Sequence, residues 1–381
     1  MHNHSEVEKT PGAIILFGSG ETSPSGRKAF DAVLRELPAA PRVALLETPA
    51  GFELNSAQVI GRVGDFIRHR LQNYEPQITF VPARGRGTPF SPDDAEIIEP
   101  LFHADMIFMG PGSPTYAVRQ LTGSAAWHAL LARHRLGAAL ALASAAVVAV
   151  SAFALPVYEV YKVGEDLHWK PGLDLFGQYG LPLVFIPHWN NNDGGEELDT
   201  SRCFMGKSRF ASLMEMLPGD LTVVGIDEKT ALIVHPQSDT CQVVGLGGVT
   251  LIHTGQAHLD AVAHQDLDGT GLVEVAQMRQ GHVHQFNTGE TFSLARIGAF
   301  HPPRKSSGVP EDIWRRALQS MEAPDSTPPL EPSKQVLELV QAREAARRSR
   351  DWASADRLRG EIAAQGWQVL DTPEGPRLNP V

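Results

Sequence analysis

The sequence predicts an α/β fold with a doubly wound, mainly parallel sheet and an antiparallel extension, followed by a small C-terminal helical hairpin. Three observations predict it. Short apolar runs recur through the first half of the chain, each ending in a turn rich in small residues and followed by apolar residues at helical spacing. The runs are continuous rather than alternating, as strands are when helices cover both faces of their sheet. From about Leu221 they crowd together without helical stretches between them, as antiparallel strands joined by tight turns do.

The first unit is AIILF (Ala13 to Phe17), the turn GSGE and the helical stretch SGRKAFDAVLREL. RVALLET precedes a helix expected from about Ser56 to Leu71. QITFV is the next strand, and ADMIFMGPGSP leads into a helix through Ala117 to Leu121. LGAALALAS with an alanine-rich helix follows, then LPLVFIPHW. The later, closely spaced runs are TVVGID, TALIVH, CQVVGLGG, VTLIHTG and TFSLARIG. After Phe300 proline, serine and acidic residues mark a linker, densest from roughly 322 to 332. Beyond it two amphipathic helices are expected, broken near Ser349 to Asp351, with Gly366 as a C-cap before a short strand or turn. The expected organisation is a flexible N-terminus over 1–11, an α/β domain over 12–300, a linker over 301–332 and a helical domain over 333–381.

Composition narrows the function. A formal net charge of −11 repels polyanions overall, which argues against a DNA-coating role. Cys203 and Cys241 are too few for a disulfide framework and lack CxxC spacing, which fits a reducing cytoplasm. The first residues show no basic segment followed by an apolar one, so no signal peptide is expected. The apolar stretch around 137 to 157 is alanine-rich and ends in Leu155-Pro156, and is read as buried core rather than a membrane span.

Ligands of open α/β sheets bind outside the carboxyl ends of the strands, so the residues just after each apolar run are the candidates. LALAS delivers Ser144 between strand and helix, the setting of a nucleophile elbow. LVFIPHW delivers His188, and TVVGIDE delivers Asp227 and Glu228. A serine attacks only when a base takes its proton, and the imidazole needs an acceptor that fixes its tautomer and stabilises its cation. Each residue also has an ordinary reading: a buried hydroxyl bonded to a local carbonyl, a turn histidine, an exposed hairpin acid. Their joint placement at strand ends favours the catalytic one. Adjacent strand residues face opposite ways, which leaves Asp227 and Glu228 as alternatives for the acid.

The order of GSGE, the GPGS turn, the small-residue turn at Ser144, LPVYEVYKVGED, FIPHWNN and GIDEKTAL resembles the cyanophycinase and aspartyl dipeptidase (peptidase E) family of serine hydrolases, over roughly residues 12 to 255. The resemblance implies a class I glutamine amidotransferase-like fold and a Ser-His-Glu triad at Ser144, His188 and Glu228. It also implies an oxyanion hole of backbone N–H groups at Ala145 and Gly112. The family turn usually reads G-x-S-A-G, whereas this chain has Leu142-Ala143-Ser144-Ala145-Ala146. Glycine relieves crowding at a strained nucleophile, so this departure leaves open a protein that binds without hydrolysing.

The family cleaves aspartyl peptides or β-aspartyl-arginine backbones, which implies recognition of a substrate carboxylate. Arginine suits that task, with Arg202 the first candidate and Arg209 the second, unless Arg202 pairs with Glu196, Glu197 or Asp199. Asn190 in the polar run HWNNNDGGEELD and Gly18 in the turn GSGE, read as cleft floor, are further candidates for substrate binding. Tyr158, Glu159, Tyr161 and Lys162 are candidates to line the same cleft. GSGE lacks dinucleotide-fingerprint spacing, and His282 and His284 lack a third ligand, so neither cofactor nor metal is expected.

From about Val336 to the end, R-x-x-A-R, D-W-A-x-A-D-R-x-R and D-T-P-x-G resemble the C-terminal region of cysteinyl-tRNA synthetases. HIGH-like and KMSKS-like motifs are missing, so aminoacylation is not expected. Between Lys334 and Gly360 seven cations stand against four acids, a net charge of +3. Such a hairpin can meet tRNA phosphates, but the preferred reading is a folded appendage whose apolar stripe packs on itself or on another subunit of a homo-oligomer. The leading reading is a cytoplasmic serine hydrolase of small aspartyl peptides or amides. The alternative is a catalytically degenerate binding protein whose hairpin docks on tRNA or a protein partner.

Overall fold

A computed structural model of the chain describes residues 10–254, 282–303, 306–322, 334–364, 367–372 and 375–380. The chain divides into two compact units, Met1–Ser320 and Met321–Val381. In the first, the elements in order are β1 (Ile14–Phe17), α1 (Pro24–Leu34), β2 (Arg42–Leu46), α2 (Ser56–Arg70), β3 (Gln77–Val81), α3 (Glu99–His103), β4 (Met106–Met109), α4 (Pro114–Leu121), α5 (Ala125–Arg135), β5 (Ala139–Ala143) and α6 (Ala145–Ala149). There follow β6 (Phe153–Ala154), β7 (Lys170–Pro171), β8 (Leu183–Ile186), α7 (Gly206–Met216), β9 (Thr222–Ile226), β10 (Thr230–His235), β11 (Thr240–Gly245), β12 (Gly248–His253), β13 (His282–Asn287) and β14 (Thr291–Ser293).

The expected mixed sheet is present. Eight strands run in the order β14-β11-β10-β1-β5-β4-β2-β3. The five from β1 to β3 are parallel, and β10, β11 and β14 extend the sheet antiparallel. Strands β1, β4 and β5 are buried along their whole length, which is why their sequences are unbroken apolar runs. Hydroxyls start three of the helices. Ser23, Ser113 and Ser124 accept hydrogen bonds from the N–H groups of Gly26, Tyr116 and Trp127, and prolines occupy the first turns of α1 and α4.

The structure departs from the expectation in two places. LPLVFIPHW does not extend the main sheet: β8 pairs parallel with β9 in a second, four-stranded sheet ordered β13-β12-β9-β8. A buried parallel strand has the same apolar pattern in either sheet, so periodicity alone does not separate them. Within the expected linker over 301–332, Glu311–Glu322 is a helix. Pro310 and the acids Glu311 and Asp312 look like linker in sequence, yet proline before a helix and acids in its first turn also favour a helix start. Arg316 from this helix pairs with Glu99 and stacks over Phe102 at 4.5 Å.

In the second unit, helices Lys334–Arg348 and Trp352–Ala364 form the expected hairpin, followed by a two-stranded antiparallel sheet of Trp367–Thr372 and Gly375–Pro380. Val336, Val340, Ile362, Trp367 and Val369 form its core. Gly366 and the first nine residues lie outside the described residues. Among the described residues no helix is long and apolar enough to cross a membrane.

One buried base makes stability depend on pH. His134, at the end of α5, is fully buried, its Nδ1 lying 3.2 Å from the Ala138 carbonyl. Burial pushes its pKa down from 6.5 to about 4. The unfolded chain therefore takes up a proton near pH 6.5 that the folded chain refuses until about pH 4. Stability from this group is full above 6.5 and is lost as pH falls through that window. Urea melts at pH 7 and pH 5 should show about 2 kcal/mol of loss from this source. That part should be absent in His134→Leu, and an identical pH slope in the two proteins would count against a neutral buried imidazole.

Candidate active site

Three strand ends converge. Ser144 follows β5 directly, with φ +52 and ψ −110, a backbone region that L-residues avoid. Its N–H donates to the Phe17 carbonyl at 3.3 Å, and its carbonyl accepts from Val147 and Val148, starting α6. The hydroxyl caps no helix N–H and lies 3.0 Å from His188 Nε2. A serine that neither caps nor bonds its own turn is held for another purpose. Of the two positions where glycine was expected, Leu142 lies within β5, opposite Leu16 and Met109 and 1% exposed, so its side chain packs in the core rather than in the turn.

His188 follows β8, also at positive φ, and its N–H donates to the Gly18 carbonyl at 3.1 Å. Its Nδ1 is 2.9 Å from Glu228 Oε1. Glu228 lies in the turn from β9 to β10, and the same oxygen accepts from Asn191 Nδ2 at 2.9 Å. The hydrogen bond to His188 holds the Glu228 carboxyl below the usual range, against the opposing effect of burial. An ionised Glu228 keeps the imidazole proton on Nδ1 and leaves Nε2 as acceptor for the serine hydroxyl. Asp227 points elsewhere. Its Oδ2 accepts from the Gly248 N–H at 2.8 Å, and burial raises its pKa. A second carboxyl, Glu21 of the GSGE turn, lies within electrostatic reach of His188, and burial raises its pKa too.

Beside Ser144 opens a cavity of about 350 Å³. Gly112 and Ala145 both line it. Gly112 sits at φ +144 with Pro49 behind it, where a Cβ would fall 2.0 Å from the Pro49 carbonyl oxygen, so only glycine fits. Val148, Val157, Tyr158, Tyr161 and Phe204 supply apolar wall, and Lys162 and Asp193 bring opposite charges. Tyr161 and Lys162 lie on a π-helical turn at Glu159–Val163, and Tyr158 immediately precedes it. The Cys203 thiol is also on the wall, but burial pushes its pKa up to about 12, which leaves it inert as a nucleophile at neutral pH.

The other candidates for substrate binding lie off the cavity wall. Arg202 is 7% exposed, stacks over the Trp189 ring at 3.9 Å and donates to the Trp189 carbonyl at 2.8 Å. The cause is local: Arg202, Cys203 and Phe204 are consecutive left-handed residues, each costing about 1–2 kcal/mol. That turn presents Cys203 and Phe204 to the cavity and sends Arg202 to Trp189. Arg209 donates to the Met205 and Phe204 carbonyls. Gly18 is a close-approach residue, since a Cβ there would meet the Asp227 carbonyl oxygen at 2.1 Å. Exposed Asn190 accepts from the Glu228 N–H at 2.8 Å and so holds the acid's turn. Sequence reasoning missed Asn191 as the second donor to Glu228, since nothing in a run of three asparagines distinguishes it. His284 lies against His253 with ring centroids 5.8 Å apart, and among the described residues no three His, Cys, Asp or Glu side chains are grouped to hold a metal ion.

The strain at Ser144 is measurable. Ser144→Gly should be more stable than Ser144→Ala by about 1 kcal/mol or more, because glycine alone adopts this backbone freely. Equal denaturation midpoints for the two variants would show that the turn relaxes in solution.

Comparison with known proteins places each unit. The structure of a peptidase from an acI-B1 Actinobacterium aligns over 75% of this chain and 98% of its own, with a TM-score of 0.54 and 22% identity. Residues 331–375 match the cysteinyl-tRNA ligase anticodon binding domain. Over this region the chain is 53% identical to a cysteine–tRNA ligase of Rubrobacter xylanophilus across 45 residues, and 54% identical to one of Burkholderia lata across 43. These matches cover 12% and 11% of this chain, and the chain spans only about a tenth of the length of those ligases. The chain therefore joins an α/β fold shared with a peptidase to a C-terminal segment similar to the anticodon binding domain of cysteine–tRNA ligases.

Proposed function

We propose that the Met1–Ser320 unit is a serine hydrolase that cleaves small aspartyl-containing peptides or related amides through an acyl-enzyme. The observation that carries this reading is the relay from Ser144 Oγ through His188 to Glu228, set on the wall of a cavity sized for a small ligand. Ser144 Oγ attacks the substrate carbonyl carbon while its proton passes to His188 Nε2. Glu228 stabilises the resulting imidazolium and holds its orientation. Backbone N–H groups at Ala145 and Gly112 receive the oxyanion. His188 then protonates the departing amine, and water repeats the sequence to free the acid and restore the serine. The shared fold is compatible with this chemistry and leaves the substrate to the residues of the cavity. Of the cavity's lining residues Lys162 is the cation, so it replaces Arg202 as the group to meet a substrate carboxylate.

A fluorophosphonate probe should label the protein at Ser144, with labelling abolished in Ser144→Ala and His188→Ala and slowed about 10²–10⁴-fold in Glu228→Gln. Prior treatment with iodoacetamide at pH 8 should leave labelling intact, because the Cys203 thiol stays protonated. Among cleaved substrates, a preference for aspartyl over asparaginyl compounds should disappear in Lys162→Met. A folded protein that resists the probe would overturn the hydrolase reading in favour of a binding protein.

For the second unit we propose contact with tRNA. The match to an anticodon binding domain supports it, as does the helical hairpin's surface, where Arg348, Arg350, Arg357 and Arg359 are exposed with Trp352. Such a surface can neutralise phosphates and stack on an unpaired base. Gel shifts of the full chain with tRNA should show binding at low salt that weakens steeply as salt rises, and that is lost when Arg350 and Arg357 are both changed to Glu. No shift at low salt would end this reading.

A further inference from the structure

We propose that Arg202 is a positioning residue, holding the His188 ring in line between Ser144 and Glu228 by clamping the turn that carries it. The inference rests on the reading of Ser144, His188 and Glu228 as the catalytic relay. Two donors of Arg202 converge on one acceptor: its backbone N–H and its Nη1 reach the Trp189 carbonyl at 2.9 and 2.8 Å. The guanidinium plane simultaneously covers the Trp189 ring at 3.9 Å. Trp189 is the residue after His188, so its carbonyl and ring fix the direction in which the histidine turn leaves β8.

The next two residues complete the grip. The Cys203 N–H donates to the His188 carbonyl at 3.2 Å, and the Phe204 ring lies against the imidazole with centroids 5.7 Å apart. The left-handed turn that makes this possible is closed by bonds from the Phe204 N–H to the Thr200 carbonyl at 3.0 Å and from the Gly206 N–H to the Ser201 carbonyl at 2.8 Å. His188 itself sits at positive φ, a conformation that its own preferences do not maintain. The charge on Arg202 is faced by Asp199 and Asp227, which lie within electrostatic reach. Asp227 precedes Glu228, so the guanidinium also feels the charge of the turn that carries the acid. Lysine can reach one carbonyl but offers no planar fork to cover the indole while donating. Arginine is therefore specifically required.

The test uses the full chain and an uncharged fluorophosphonate, with the inactivation rate constant separated from the probe's apparent affinity. Arg202→Lys should lower the rate constant about ten-fold and Arg202→Met about a hundred-fold, with affinity unchanged, the scale expected when a reacting group is displaced by about an ångström. Millimolar guanidinium should restore part of the rate in Arg202→Ala. In wild type the His188 Nδ1 proton should give a downfield NMR signal from its bond to Glu228, shifted or lost in Arg202→Lys. A purely structural role would lower the melting temperature yet leave the rate constant of the folded protein and the proton signal as in wild type, and that result overturns the proposal. So does an effect on probe affinity alone, which would return Arg202 to the substrate. Failure of wild type to react at all would instead sink the hydrolase reading, and the proton signal still tests the clamp.

Discussion

Everything at this site depends on one constraint: the serine and the histidine belong to different sheets. Ser144 ends a strand of the eight-stranded sheet, while His188 ends β8 of the four-stranded one. A 3.0 Å contact between them survives only if the two sheets are fastened at that end. The fastening is backbone. The His188 N–H donates to Gly18 beyond β1 and so joins the two sheets, while within the second sheet the Trp189 N–H donates to Ile226 at the end of β9 and steadies the same turn. The chain itself crosses from the second sheet to the first in the turn from β9 to β10, which is where Glu228 sits. The Lys229 N–H then bonds Ser19 Oγ at 3.0 Å, tying that turn back to the GSGE loop. The acid is thus carried by the connection that holds the sheets together. Gly18 allows the approach because any Cβ there would strike the Asp227 carbonyl.

A fold that places three loops this tightly does so with strain. Ser144, His188, Arg202, Cys203, Phe204 and Lys229 are all non-glycine residues at positive φ, and all belong to the turns that build the site. Conformations of this kind persist where the surroundings overdetermine them. Here the surroundings are the fully buried strands β1 and β5 beneath Ser144 and the cluster of Val184, Ile186, Trp189, Phe210 and Leu213 beneath His188. Rigid apolar packing resists small displacements, so the turns inherit the precision of the cores they stand on.

Much of this was legible in the chain because strand ends are easy to find. An apolar run followed by a reactive residue marks Ser144, His188 and the Asp227-Glu228 pair, and parallel-sheet geometry requires such ends to face one side. The strand pattern left the choice between Asp227 and Glu228 open, and only the family resemblance pointed to Glu228. The choice turns on which side chain reaches the turn after β8 and which the start of β12, and the sheet those strands form was invisible because a buried parallel strand carries no label for its neighbours. The burial of Arg202 was not legible for a related reason. A left-handed turn made of arginine, cysteine and phenylalanine has no glycine to announce it, so nothing in the sequence marked Arg202 as stacked on Trp189 rather than open to a substrate carboxylate. The helix Glu311–Glu322 was hidden by the opposite effect, since the proline and acids that start it are also the residues of linkers.

Charge separates the roles proposed for the two units. The chain as a whole carries −11, while the segment from Lys334 to Gly360 carries +3, so attraction to a polyanion is confined to a short part of the sequence. The cavity beside Ser144 is of a size for a small ligand, and its charged lining residues are one lysine and one aspartate. Nothing in such a cavity would engage a polynucleotide backbone, whose recognition needs an extended array of cations. Each unit also has its own apolar core, so substitutions in the hairpin and at Ser144 are expected to act independently on stability. The two proposed activities are then tested separately: loss of hydrolysis would say nothing about nucleic-acid binding.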